Sequence, residues 1–137
     1  MSLMKEPKHF KSCWVSASHP KEAPWGEELV WSALPNVHGK IIYIKEGHRN
    51  SLKYNELKDE CLFVLEGDVE VEYGNELSIK DPIMHPLRKE RLTHGQSLNI
   101  QSGCPYRIKA ITAAQVIEIG TGPLGHVVRI EDDYGRK

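Results

Sequence analysis

Along residues 69–73 apolar and charged side chains alternate without a break, Val69-Glu70-Val71-Glu72-Tyr73. An extended chain turns successive side chains to opposite faces, so this run buries one face and leaves the other in water. Leu98 and Ile100 repeat the period of two, and so do Tyr106, Ile108 and Ala110. From Glu28 onward short runs of this kind are punctuated by Gly, Asn and Pro, and no segment sustains a helical period. The pattern predicts strands at 28–32, 39–45, 51–55, 60–65, 69–73, 87–93, 97–101, 106–111, 115–119 and 127–131. Glu66-Gly67-Asp68 and Gly74-Asn75 carry turn chemistry between consecutive strands, which implies antiparallel hairpins. Between residues 75 and 94 the sequence is irregular, and Pro82 and Pro86 rule out a central strand; a long loop or an edge excursion is expected. Residues 1–23 show no sustained periodicity and read as an N-terminal arm leaning on a single domain of residues 24–137. Many short antiparallel strands in a small chain predict an all-β jelly-roll barrel or a sandwich.

Composition narrows the function classes. At 137 residues the chain has room for one domain with a true core and not for two. Its 18 basic and 19 acidic residues leave a net charge of -1, so no basic excess drives binding to nucleic acid. Apolar runs such as 61–65 are far too short to span a bilayer, and Lys5, Lys8 and Lys11 interrupt any signal-peptide core. A cytoplasmic protein without membrane association is expected. Cys13, Cys61 and Cys104 are an odd and widely spaced set, which reads as reduced thiols rather than a disulfide framework or a zinc ribbon. Cys61 is expected in the core, inside its strand.

Two segments carry a family likeness. Glu60-Cys61-Leu62-Phe63-Val64-Leu65-Glu66-Gly67 resembles the first motif of the cupin superfamily, a carboxylate followed by an apolar strand and a glycine turn. The stretch from Gly95 through Gly103 to Tyr106 resembles the second, in which one glycine opens a strand, another makes the turn, and a ligand position follows. Pro24-Trp25-Gly26-Glu27-Glu28 is similar to the entry segment of mannose-6-phosphate isomerases, and the strand around Ser51-Leu52 to one of theirs. Glu131-Asp132-Asp133-Tyr134-Gly135-Arg136 resembles the closing segment of the cupin domain fused to mannose-1-phosphate guanylyltransferases. The likeness covers residues 24 to 136 and implies a cupin, that is a jelly-roll or double-stranded β-helix barrel.

A functional cupin of that branch implies two or three histidines and a glutamate around a divalent metal that polarises a sugar carbonyl. Here the first histidine position of the motif reads Asn55, the next candidates read Glu56 and Leu57, and the last reads Tyr106. Glu60 survives, with Lys53 where the isomerases often place glutamine. One carboxylate, an amide and a phenol make a poor metal site, so no metal and no cofactor are expected. If the strand parity of the family carries over, Lys53, Asn55, Glu60 and Tyr106 all point into the barrel, and Lys53 or Tyr106 pairs with Glu60. These four are the candidate ligand-binding residues, and Lys53, Glu60 and Tyr106, with His48 beyond a glycine turn, are the candidate catalytic ones. The same four could equally be barrel filling, and His48 a surface-loop histidine.

The other conspicuous residues read as structural. His85, His94 and His126 have no metal-like spacing; Trp25 and Trp31 pack the first strand; Arg129, Arg136 and Lys137 form a solvated end. The likeness implies a homodimer that binds a sugar phosphate or nucleotide sugar in carbohydrate metabolism or polysaccharide biosynthesis. The alternatives are a metal-independent sugar isomerase or epimerase using Tyr106, Lys53 or His48, and a metal-dependent mannose-6-phosphate isomerase.

Overall fold

Eleven strands form among the residues that the computed structural model describes, 10–122 and 126–137. They are β1 (His19–Ala23), β2 (Gly26–Val30), β3 (Val37–Ile44), β4 (Leu52–Asn55), β5 (Glu60–Glu66), β6 (Val69–Tyr73), β7 (Arg88–Leu92), β8 (Ser97–Ile100), β9 (Tyr106–Ala110), β10 (Ala114–Thr121) and β11 (Val127–Glu131). Every pairing is antiparallel, in one sheet of order β1-β2-β3-β10-β5-β8 and a second of order β11-β4-β9-β6-β7. No helix is long and apolar enough to cross a membrane among the described residues. The all-β expectation holds.

Alternation builds the core. Inward positions Ile42 and Ile44 of β3, Leu62 and Val64 of β5, and Ala114 and Val116 of β10 meet Val69 and Val71 of β6 and Ile108 and Ala110 of β9. Burying each of the larger side chains contributes about 1.5–3 kcal/mol. Glu70 and Glu72 stay on the wetter face of β6, as their parity requires. Cys61 corrects an expectation: it lies between buried Glu60 and Leu62, so the same parity turns it outward, where its thiol meets Asn99 Oδ1 at 3.2 Å.

The N-terminal segment is more ordered than its sequence suggests. Residues 1–9 lie outside the described part of the arm, but His19–Ala23 forms β1 and pairs with β2 through a turn at Pro24-Trp25. At Gly26 a Cβ would collide with the carbonyl oxygen of Tyr43, so only glycine lets β2 cross β3 there. Trp25 is buried, whereas Trp31 is 45% exposed and lays its ring over the backbone of Gly39. The irregular stretch after Gly74 is a loop of turns, followed by β7 at the edge of the second sheet.

Candidate functional site

The inward face of three neighbouring strands changes character toward one end. On β3 it runs Ile44, Ile42, Lys40, His38; on β10, Ala114, Val116, Glu118, Gly120; on β5, Val64, Leu62, Glu60. Strand pairing puts His38, Gly120 and Glu60 in one row, and Lys40, Glu118 and Leu62 in the next. Gly120 makes the first row possible, because a Cβ there would collide with the imidazole of His38. The ring fills the vacant place between the strands and reaches both carboxylates. His38 Nε2 lies 3.0 Å from Glu118 Oε2 and 3.4 Å from Glu60 Oε2.

The second sheet closes the cluster. Lys53 of β4 and Tyr106 of β9 are direct cross-strand partners. The Tyr106 hydroxyl donates to Glu60 Oε1 at 2.8 Å, and Asn55 Nδ2 donates to the same oxygen at 2.6 Å. Lys58, in the turn between β4 and β5, stands 3.7 Å from Glu60 Oε2. Lys40 Nζ lies 3.6 Å from Glu118 and 3.5 Å from Glu28. Among the described residues Lys53 makes no ion pair: its ammonium sits 4.6 Å from the centroid of the Tyr106 ring and 3.4 Å from the Ser51 carbonyl oxygen. All of these except His38 line a cavity of about 690 Å³ at the barrel mouth, so His38 acts from behind its wall. A second, more open hollow of about 730 Å³ lies by Gly26, Tyr43 and Gln115 and holds none of this chemistry.

The protonation states follow from these contacts. Burial opposes charge on His38, but its hydrogen bonds to Glu118 and Glu60 outweigh that and raise its pKa. Burial would also lift the Glu60 carboxyl; His38, the Lys58 ammonium and the Tyr106 hydroxyl overcome it and hold Glu60 at about 2. Burial, with Glu118 and Glu60 nearby, pushes the Tyr106 phenol well above its ordinary range, so it keeps its proton and acts as a donor. Burial pulls Lys53 down to about 8 against the attraction of Glu118 and Glu60.

The four expected binding residues, Lys53, Asn55, Glu60 and Tyr106, thus line one cavity. The pairing expected of Lys53 or Tyr106 with Glu60 is made by Tyr106 and not by Lys53. His48 requires a correction. It follows β3 at its other end, where its carbonyl oxygen accepts from the Ala110 N–H of β9, and its ring meets the Glu46 carbonyl oxygen. That end lies four positions along β9 from Tyr106, about 13 Å of strand, so His48 takes no part in the cluster. Sequence reasoning missed His38, Lys40, Lys58 and Glu118. A signal existed for three of them: His38, Lys40 and Glu118 share the parity of core residues on their own strands.

One nitrogen of His38 and one oxygen each of Glu60 and Glu118 lie within 4.8 Å of one another, a spacing that a divalent cation could bridge. The donor chemistry does not fit one. Glu60 already accepts from Asn55 and Tyr106 on one oxygen and faces His38 and Lys58 on the other. Glu118 Oε2 faces His38 and Lys40. The ammoniums of Lys40, Lys53 and Lys58 balance the carboxylates of Glu28, Glu60 and Glu118, and a divalent ion placed among them would be repelled by two ammoniums at short range. One imidazole also falls short of the set that softer divalent metals favour. Among the described residues the buried Asn55 Oδ1 has no hydrogen-bond partner, although Asn55 itself lines the cavity.

No protein-family model and no curated protein sequence matches the chain. Solved structures do. KdgF from Halomonas sp. is similar at a TM-score of 0.63 and 16% identity, over 75% of this chain and 84% of that one. Oxalate decarboxylase from Bacillus subtilis at pH 4.6 is similar at a TM-score of 0.70 and 16% identity, over 82% of this chain. CapF in complex with the inhibitor 3-isopropenyl-tropolone is similar at a TM-score of 0.63 and 12% identity, over 88%. This chain spans 30% of that oxalate decarboxylase and 33% of CapF. The fold is the cupin barrel, in a single small domain.

Proposed function

We propose that this cupin-fold protein binds a sugar phosphate or nucleotide sugar at the mouth of its barrel and does so without a metal, in carbohydrate or polysaccharide metabolism. The observation that carries the reading is the charge of the cavity. Lys21, Lys40, Lys53, Lys58, Arg129 and Arg136 outnumber the lining carboxylates Glu22, Glu28, Glu60 and Glu118. A cavity of about 690 Å³ is of the size that small organic ligands occupy. Its basic rim suits a phosphate, and Asn55, Glu60 and Tyr106 suit sugar hydroxyls. The resemblance of residues 24–136 to mannose-6-phosphate isomerases and to the guanylyltransferase-fused cupin favours a phosphorylated hexose.

A thermal-shift panel of mannose 6-phosphate, fructose 6-phosphate and nucleotide sugars, run with a chelator present, tests this. A ligand that binds only the folded state raises the melting temperature, and does so further as its concentration exceeds its dissociation constant. A panel without any stabiliser rejects the reading. Stoichiometric metal retained through purification, measured by elemental analysis, would instead restore the metal-dependent isomerase.

A second reading is a metal-independent isomerase or epimerase, favoured by the buried hydrogen bond from Tyr106 to Glu60. Tyr106 would give a proton to the substrate oxygen, and a neighbouring carboxylate would take one from the adjacent carbon. Aldose-to-ketose conversion that survives chelator and is lost in Tyr106→Phe would support it. We further read the chain as a homodimer joined through a sheet edge; a monomer mass by light scattering rejects that.

A further inference from the structure

Three lysines stand around the buried carboxylates, and they are not alike. Lys40 is 3.5 Å from Glu28 and 3.6 Å from Glu118, and Lys58 is 3.7 Å from Glu60. Lys53, partnered across the sheet with Tyr106, holds its nitrogen over that ring, and among the described residues its one hydrogen bond is a long contact to the Ser51 carbonyl. The ring face attracts the ammonium without neutralising it, and burial denies it much of the water that would solvate it. Among the three, Lys53 therefore has the least to lose on giving up its proton.

We propose that Lys53 is a nucleophilic amine that forms a Schiff base with the open-chain carbonyl of a phosphorylated aldose or ketose. The neutral Nζ gives its lone pair to the carbonyl carbon as the carbonyl oxygen takes up a proton. The resulting carbinolamine then loses that oxygen as water, which carries away both amine protons overall and leaves a carbon–nitrogen double bond. No oxidant or reductant is needed. The Tyr106 hydroxyl and the Glu60 carboxylate, hydrogen-bonded to each other beside Lys53, are placed to move the protons. With Lys53 pulled down to about 8, roughly a tenth of molecules carry the free amine at neutral pH, against a few in ten thousand for an ordinary lysine.

The inference rests on the proposed function for the sugar phosphate, but its chemistry is tested separately. The full chain is incubated at neutral pH with glyceraldehyde 3-phosphate and sodium cyanoborohydride, which reduces an imine to a stable secondary amine. Labelled lysines are then mapped by mass spectrometry. Lys53 is expected to label at least about tenfold faster than the exposed Lys45, Lys89 and Lys109. In Lys53→Arg, with its fold checked by circular dichroism, that label disappears. The wild-type map decides the matter even if the variant misfolds. Label spread over the exposed lysines with Lys53 unmodified overturns the proposal. Label on Lys53 with no sugar phosphate shifting the melting temperature keeps the amine chemistry and removes the ligand reading. A thermal shift without label on Lys53 does the reverse.

Discussion

The two ends of the barrel interior are built from the same strands and obey different rules. At the closed end, Ile44, Val64 and Val116 are 1–2% exposed or less and need only shape and apolarity to stay there. At the mouth, two to four residues further along the same inward faces, Lys40, Glu118 and Glu60 are held by named partners at fixed distances. A buried methyl tolerates a change of neighbour, whereas a buried carboxylate does not, because each must replace the hydration it gave up. The closed end supplies stability, and the mouth spends part of it to hold charge in a cavity.

The largest expected break in this comparison is His38→Ala. It leaves Glu60 and Glu118 facing each other without the imidazole between them, and urea unfolding should show a loss of about 3–5 kcal/mol. Leu62→Ala, one row deeper on β5, should cost about 2–5 kcal/mol as a cavity while leaving any ligand-induced thermal shift intact. The pairing of those two results separates the ends. If His38→Ala is as mild as a surface change, the cluster is not organised as described.

Replacing both partners sharpens the contrast. His38→Leu with Glu118→Leu extends the apolar rows into the mouth, so stability should stay within about 1 kcal/mol of the wild type or exceed it. The same double variant should keep its response to sugar phosphates, since every lining lysine and arginine is still in place and one carboxylate fewer opposes them. A double variant as unstable as His38→Ala would show that shape, and not charge, governs the mouth.

The two ends also differ in pH dependence. Glu60 is held at about 2 against an ordinary 4.5, so its contribution is complete above about 4.5 and is lost as pH falls through about 2. His38, with a raised pKa, contributes in the opposite sense: fully below 6.5, and less as pH rises past its folded value. Glu60→Gln should flatten the wild-type fall in stability between about pH 4.5 and 2, measured by chemical denaturation across that range. The apolar rows titrate nothing, and Leu62→Ala should keep the wild-type slope.

Much of this was legible in the chain, and the gaps have physical causes. Val69–Tyr73 and Val127–Glu131 fall where alternation put them, because parity is a local property. Lys53, Asn55, Glu60 and Tyr106 were found through the motif likeness and do share the mouth. β1 was hidden by a segment without alternation, whose strand state comes from pairing with β2. His48 looked as promising as any histidine in the sequence and sits at the wrong end, since a glycine turn says nothing about which rim it belongs to. His38 and Glu118 are 80 residues apart, and no local pattern brings them together.

By itself, then, the sequence determined the all-β class, most of the strands, their inward and outward faces, and four of the residues at the mouth. The class, the strands and their faces follow from a period of two and from turn residues, each read within a few positions, and the four mouth residues from the motif likeness. Only the tertiary structure decided that β10 lies between β3 and β5, and that Gly120 makes room there for His38 to join two carboxylates. That order is a matter of which distant strands share hydrogen bonds, and no local pattern carries it.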